Sequence, residues 1–459
     1  MRLFAQKIIV PLLIALLSVG CAAVEVSRPG PGPVVSDMHP AIAEAAELAR
    51  DDAALSGQAR LDNARRIERL LAGLDDATLA RETAALPPGN PLYNFAGRAL
   101  LNRGLPLPRP FERGGNWRFD AGNRPPAERD GYRPPLKLGV LLPLSGSMAT
   151  AAVPVRDGFL AGYYGEQRRR PEVAFYDTAG GASAAYAKAV TEGADYVLGP
   201  LGRDEVSALF REPLSVPVLA LNRGNVAPPA GSASFSLAPE DDGIAAAEFL
   251  LARNARRVLV LTAGDDSMRR VTAAFGEHLQ SRGGSIVQSL TVTGDKPDLA
   301  AALSAAAQAE GGIDAVFLAL KGAQARAIAP QLALAGLAGK PRVATSQIVL
   351  SGGKAEQNLA LDGIAFPTEA WSVRGAPGLP SAASAGQTLP SARGPAAKLF
   401  AFGYDAWLLT AYLERLATSA GDIQGATGTL RIDGFGNVVR TPAWSTFSGG
   451  NPVPLDGGR

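Results

Sequence analysis

The sequence predicts an α/β protein: two doubly wound lobes preceded by a small all-α region. Three observations carry this. From Leu136 onward, short apolar runs bounded by turn residues alternate with amphipathic stretches at helical spacing. That cycle runs twice, with a fresh start near Ile244. Strands that are apolar throughout, rather than alternating, suit a parallel sheet covered on both faces. Before this region, residues 42–103 show only the helical period.

In order, Lys137–Leu144 reads as a buried strand ending in Ser145-Gly146-Ser147, and Ala151–Tyr164 as a helix with Phe159 and Tyr163 on its apolar face. Strand 173–177, helix 182–192, strand 195–200, helix 204–210 and strand 216–222 complete the first cycle. The second gives helix 244–253, strand 257–262, helix 268–282, strand 285–290, helix 299–309, strand 315–320, helix 323–335 and strand 342–345. The expected divisions are a leader over 1–21, a tether over 22–41, the helical domain over 42–103, a Pro/Gly-rich linker over 104–135 and the two-lobed domain over 136–455. Within the last, the first lobe is expected over about 136–241 and 394–424, and the second over about 242–365 and 425–447. Trp117 and Phe119 are unusual for a pure linker and are candidates to dock on a neighbouring surface. The segments 371–393 and 421–436, rich in small residues, read as long loops, the first of them mobile.

Composition excludes several functions. Lys and Arg number 45 against 43 Asp and Glu, so the net charge of +2 leaves no nucleic-acid footprint. The two histidines, His39 and His278, lie far apart, and the single cysteine leaves neither zinc nor iron–sulfur chemistry a ligand set. No metal site and no cofactor is expected. No P-loop, dinucleotide fingerprint or G-x-S-x-G motif is present, and no histidine is placed as the base of a nucleophilic triad, so the chain reads as a non-enzyme.

The lone cysteine, Cys21, follows Arg2, Lys7 and an apolar run from Ile8 to Leu17. A basic start, a short apolar stretch and small residues make a secretory signal, since a membrane span takes about 20 apolar residues. Ser18-Val19-Gly20-Cys21 resembles a bacterial lipobox, with Ser18 where that pattern prefers Leu. The resemblance implies lipidation of Cys21, and Ala22, in place of the inner-membrane retention Asp, implies outer-membrane sorting.

Several stretches resemble the LpoA-type family of penicillin-binding-protein activator lipoproteins, on a type I periplasmic-binding-protein fold. They are Gly139–Gly146 with Val155–Ala161, Gly193–Leu201, Val216–Asn222, Ala344–Ile348, Leu361–Phe366 and Gly425–Asp433 with Gly436–Arg440. The resemblance implies a partner, a bifunctional class A penicillin-binding protein, stimulated from the outer membrane in peptidoglycan synthesis. Larger members carry a long helical amino-terminal domain; here that region is only about 42–103. The alternative is a lipid-anchored receptor for a small solute of the branched-chain amino acid type.

Cleft-lining candidates follow from the strand ends. Ser145 and Ser147 open the first strand-to-helix loop, Asp177 ends the second strand, Arg203 follows the third, and Asn222 and Arg223 follow the fourth. Charged residues at the last two places do not suit an α-amino-acid clamp. Asp177 also suits a turn cap over 177–181, Ser145 and Ser147 suit a turn, and Asp241-Asp242 suit a helix amino terminus.

Overall fold

The computed structural model describes residues 38–55, 57–112, 124–294, 297–349, 354–419 and 421–455. Cys21, the leader, most of the tether, Trp117 and Phe119 lie outside them.

Four helices open the described chain: α1 (Pro40–Asp51), α2 (Gly57–Ala72), α3 (Asp76–Ala85) and α4 (Leu92–Asn102). A turn of 3-10 helix at Asp52–Ala54 separates α1 from α2. Asp75 caps α3, its carboxylate accepting the Thr78 N–H at 2.8 Å. Ile42, Ile67, Leu71, Leu79, Leu92, Tyr93, Phe95 and Leu100 form a core of their own.

The first lobe is built on a five-stranded sheet of order β2-β1-β3-β4-β5. Its strands are β1 (Lys137–Leu142), β2 (Glu172–Asp177), β3 (Tyr196–Leu198), β4 (Val218–Ala220) and β5 (Ala233–Ser234). Helices α5 (Ala149–Gly165), α6 (Ala182–Thr191) and α7 (Arg203–Leu209) connect them. All pairings are parallel; helices supply the crossovers as far as β4, and a loop leads from β4 to β5.

The second lobe begins with α8 (Pro239–Leu251), five residues earlier than expected because Pro239 at the first turn and the acids Glu240, Asp241 and Asp242 favour a helix start. It continues through β6 (Arg257–Ala263), α9 (Asp266–Ser281), β7 (Ser285–Val292), α10 (Ala300–Ala307), β8 (Ala315–Ala319), α11 (Gly322–Leu334), β9 (Arg342–Ala344), α12 (Ala355–Asn358) and β10 (Ile364–Thr368). The core between sheet and helices includes Val258–Leu261, Phe275, Phe317, Leu332 and Phe366.

The chain then returns to the first lobe. The segment 371–393, read as a mobile loop, instead forms α13 (Ala370–Arg374) and α14 (Ala382–Thr388). Trp371 is buried against Phe400, with its indole N–H donating to the Pro380 carbonyl at 2.8 Å. One aromatic anchor orders a stretch whose other residues give no signal. Helix α15 (Ala396–Thr418) packs along α5. Small residues set that approach: a Cβ on Gly158 would lie 1.9 Å from the Phe400 carbonyl oxygen, and one on Gly403 would lie 2.0 Å from that of Val155. Phe159 and Trp407 meet edge to face beside them.

Strands β11 (Ile423–Gln424), β12 (Thr429–Ile432) and β13 (Val438–Thr441) form a small antiparallel sheet. Leu430, Ile432 and Val438 belong to the first lobe's core, so 425–441 was misplaced in the second lobe by the sequence reading. The pattern Thr429–Ile432 alternates buried and part-exposed residues, which specifies a strand but not which core receives it. Only β14 (Ala443–Ser448) and β15 (Asn451–Pro454) join the second sheet, whose order is β15-β14-β10-β9-β8-β6-β7. The chain thus crosses between lobes after β5, after β10 and after β13.

Candidate functional site

At the carboxyl ends of the first lobe's strands, the parallel register sets Leu142 beside Asp177. That alignment brings the Asp177 carboxylate to the loop after β1. One oxygen accepts the N–H of Leu144 at 2.9 Å and of Ala179 at 3.0 Å; the other accepts the Ser145 hydroxyl. The Ser145 hydroxyl and these amides hold the Asp177 carboxyl below the usual carboxylate range. Asp177 therefore both caps its own turn and ties two loops together. Ser147 is exposed in the same loop, and Arg203 is exposed at the start of α7.

Asn222 donates from its amide to the Leu201 carbonyl at 3.0 Å, joining the loops after β3 and β4. Arg223 reaches the crossovers: it donates to Asp241 at 3.3 Å and to the Val438 carbonyl at 3.3 Å. The neighbouring Asp241 raises its pKa further, so the charge is permanent. The structure thus joins Ser145 to Asp177 and Asn222 to the loop before Arg203. Arg223 it directs to the hinge. Beside Ser145, a cavity of about 310 Å³ is lined by Leu144, Ala149, Ala152, Val153, Arg156 and Phe175. Among the described residues that line it, Arg156 is the charged one and none is acidic.

Sequence reasoning missed the contacts that cross between lobes. Lys398, in the first turn of α15, donates to the Ser346 hydroxyl at 2.7 Å and lies 3.8 Å from Glu369. Ser346 in turn donates from its hydroxyl to Asp242 at 2.6 Å and from its backbone N–H at 2.9 Å. Asp242 was read as serving a helix terminus; it is buried and also holds the loop after β9. A second missed group is Asp405, fully buried in α15. It accepts the N–H of Ala426, and the N–H of Thr427 at 2.8 Å. Burial nevertheless pushes its pKa up to about 7, against the Thr427 and Ala426 hydrogen bonds and the charge of Arg440. The signal for both was present: between Ala396 and Leu413, Lys398 and Asp405 are the charged residues in an otherwise apolar helix.

This arrangement can join surfaces and fix loops. No helix among the described residues is long and apolar enough to cross a membrane. Among the described residues, no group of three or more His, Cys, Asp or Glu side chains is placed to hold a metal ion.

The fold is that of solved relatives. The carboxy-terminal domain of LpoA from Haemophilus influenzae, described as a regulator of PBP1A, superposes with a TM-score of 0.59 at 22% identity, covering 70% of this chain and 99% of that one. A "putative branched-chain amino acid ABC transporter" protein of Chromobacterium violaceum gives a TM-score of 0.55 at 29% identity, covering 68% and 100%. Curated sequences named penicillin-binding protein activator LpoA are similar: 27% identity over 332 residues for Yersinia pseudotuberculosis and 26% over 323 for Dickeya chrysanthemi. These alignments cover 62% and 61% of this chain, but 50% and 47% of theirs, so the chain spans about half the length of the curated relatives it matches. The family described as "LppC putative lipoprotein" matches residues 132–450, both lobes together, and the chain belongs to that family.

Proposed function

We propose that this protein is a non-enzymatic activator of a class A penicillin-binding protein, anchored at the periplasmic face of the outer membrane through a lipidated Cys21. The observation that carries the reading is the family match across both lobes, 132–450, with relatives named as penicillin-binding protein activators. The likeness covers the two-lobed head, so the head is the part proposed to meet the synthase. Stimulation then requires that the head bind the active enzyme conformation more tightly than the inactive one.

A second reading, a solute receptor, is favoured by the full-length cover of the Chromobacterium violaceum protein. Against it stand the loop groups: Ser145 is bonded to Asp177, Asn222 is bonded to the loop after β3, and the lining residues of the cavity beside Ser145 include no carboxylate for an amino group. The discriminating experiment measures glycan polymerisation and cross-linking by class A synthases, with and without the full chain carrying Cys21→Ser. Stimulation of one synthase supports the activator. No stimulation, together with a small molecule retained in native mass spectrometry, supports the receptor. Membrane fractionation tests the anchor: Cys21→Ser should move the protein to the soluble fraction, and retention in the membrane would refute lipidation there.

A further inference from the structure

The helical domain touches both lobes, and the contacts of α4 lie beside the first crossover. Toward the first lobe, α4 receives the turn between β12 and β13. Phe435 of that turn meets Phe95 edge to face, with ring centroids 4.6 Å apart. Arg98 lies over the Phe435 ring at 4.5 Å and 3.6 Å from the buried carboxylate of Asp433. The approach is close enough that a Cβ on Gly434 would collide with the side chain of Asn94 at 2.1 Å. The turn itself is tied to the first crossover, since the Ser234 N–H donates to the Gly436 carbonyl at 2.9 Å.

Toward the second lobe, α4 packs on α8, which begins at that same crossover, and α2 lies along α9. Asp76 sits between two guanidiniums, accepting from Arg103 at 3.1 Å and from Arg282 of the second lobe at 3.0 Å. Arg103 is buried and also donates to the Leu71, Ala72 and Leu74 carbonyls, so it fixes the end of α2 while it orients Asp76. Arg69 and Glu277, 3.8 Å apart, are both exposed and add little.

We infer that the helical domain is a brace that holds the two lobes at one angle. A body in contact with both lobes cannot keep both interfaces when the lobes rotate, because packed surfaces shift between discrete arrangements and do not stretch. Lys398, bonded to Ser346 across the lobes, acts in the same sense from a separate position. The head is therefore a fixed platform, and the helical domain sets its shape whatever partner it meets. This does not depend on the activator reading.

Pulsed electron–electron distance measurements test it on the full chain with Cys21→Ser, so that introduced thiols alone carry labels. Exposed Lys188 and Ser304, changed to Cys, report the interlobe distance; exposed Ala59 and Ser304, changed likewise, report whether the helices stay on the second lobe. The parent should give one narrow interlobe distribution. Arg282→Glu, which faces Asp76, should shift the 59–304 distance and broaden the 188–304 distribution. Arg98→Glu should broaden the latter independently, with circular dichroism confirming that both variants fold. Three results overturn the inference: a parent distribution as broad as the variants', a displaced brace with an unchanged interlobe distance, or no displacement in either variant.

Discussion

The two lobes share an architecture but are assembled from the chain in opposite ways. The second lobe is nearly continuous, from Pro239 to Thr368, and borrows only the hairpin β14–β15. The first is gathered from residues 132–235, 370–418 and 423–441. Its core accordingly rests on long-range partners: Phe235 stacks on Phe402 with centroids 4.4 Å apart, and Tyr132 meets Tyr412 at 5.5 Å. In the second lobe Phe275 stacks on Phe317 within the continuous segment, and the borrowed hairpin is held by Trp444 stacking on Phe249 at 4.3 Å. The difference teaches that a lobe closed by distant segments depends on the few positions where those segments touch.

The strongest way to break the comparison is at the α5–α15 contact. Gly158→Ala should destabilise the first lobe by about 3 kcal/mol, because the new methyl meets a backbone carbonyl that no rotamer change can move. The counterpart, Gly243→Ala in α8, faces the Val271 carbonyl at 2.4 Å and should cost about 2 kcal/mol, confined to the second lobe. Denaturant unfolding followed by tryptophan fluorescence separates the two, since Trp371 and Trp407 report the first lobe and Trp444 the second. Equal loss of both signals in both variants would show the lobes to unfold as one unit.

Asp405 sharpens the contrast next. Its folded pKa of about 7 lies above the unfolded value of about 3.9. Its contribution is therefore full below about pH 4 and is lost as pH rises to about 7, at up to about 1.4 kcal/mol per pH unit. Carboxylates such as Asp177, Asp130 and Glu166, held below their usual range, titrate under most of that window. First-lobe stability should fall between pH 5 and pH 7, and Asp405→Asn, though less stable at low pH, should flatten the slope. A slope unchanged by the substitution would exclude Asp405 as its source.

The smallest effect belongs to the strand-end loops. Ser145→Ala removes one hydroxyl from an exposed carboxylate that keeps its backbone donors, so thermal unfolding should move by less than about 1 kcal/mol. A larger change would mean that the loop supports more of the lobe than its bonds indicate.

What the sequence made legible follows the same division. The βα cycle of both lobes through β9 is readable except at the two-residue β5, because the other strands are short apolar runs set among helices. The start of α8 lies at Pro239 because a proline and three acids suit the first turn of a helix. What escaped was decided by contacts far apart in sequence. Nothing near Trp371 announces Phe400 as its partner, and nothing in Leu430 or Ile432 says which lobe they complete. Among the site residues, Ser145 and Asp177 were legible as strand ends, whereas Ser346 and Lys398, 52 positions apart, needed the fold to meet.

The strand of chain that enters the first lobe has a mechanical meaning. Tyr132 is buried there and donates its hydroxyl to the Arg169 carbonyl at 2.8 Å. The Arg133 N–H donates to the Ala411 carbonyl at 2.8 Å, while its guanidinium pairs with Glu414 at 2.8 Å. Arg168 lies over the Tyr132 ring at 3.7 Å and bonds Glu166, Asp130 and Tyr412. A pull on the chain just ahead of Tyr132 would meet this seam before it reached β1. The load would pass sideways into α15, across several bonds at once.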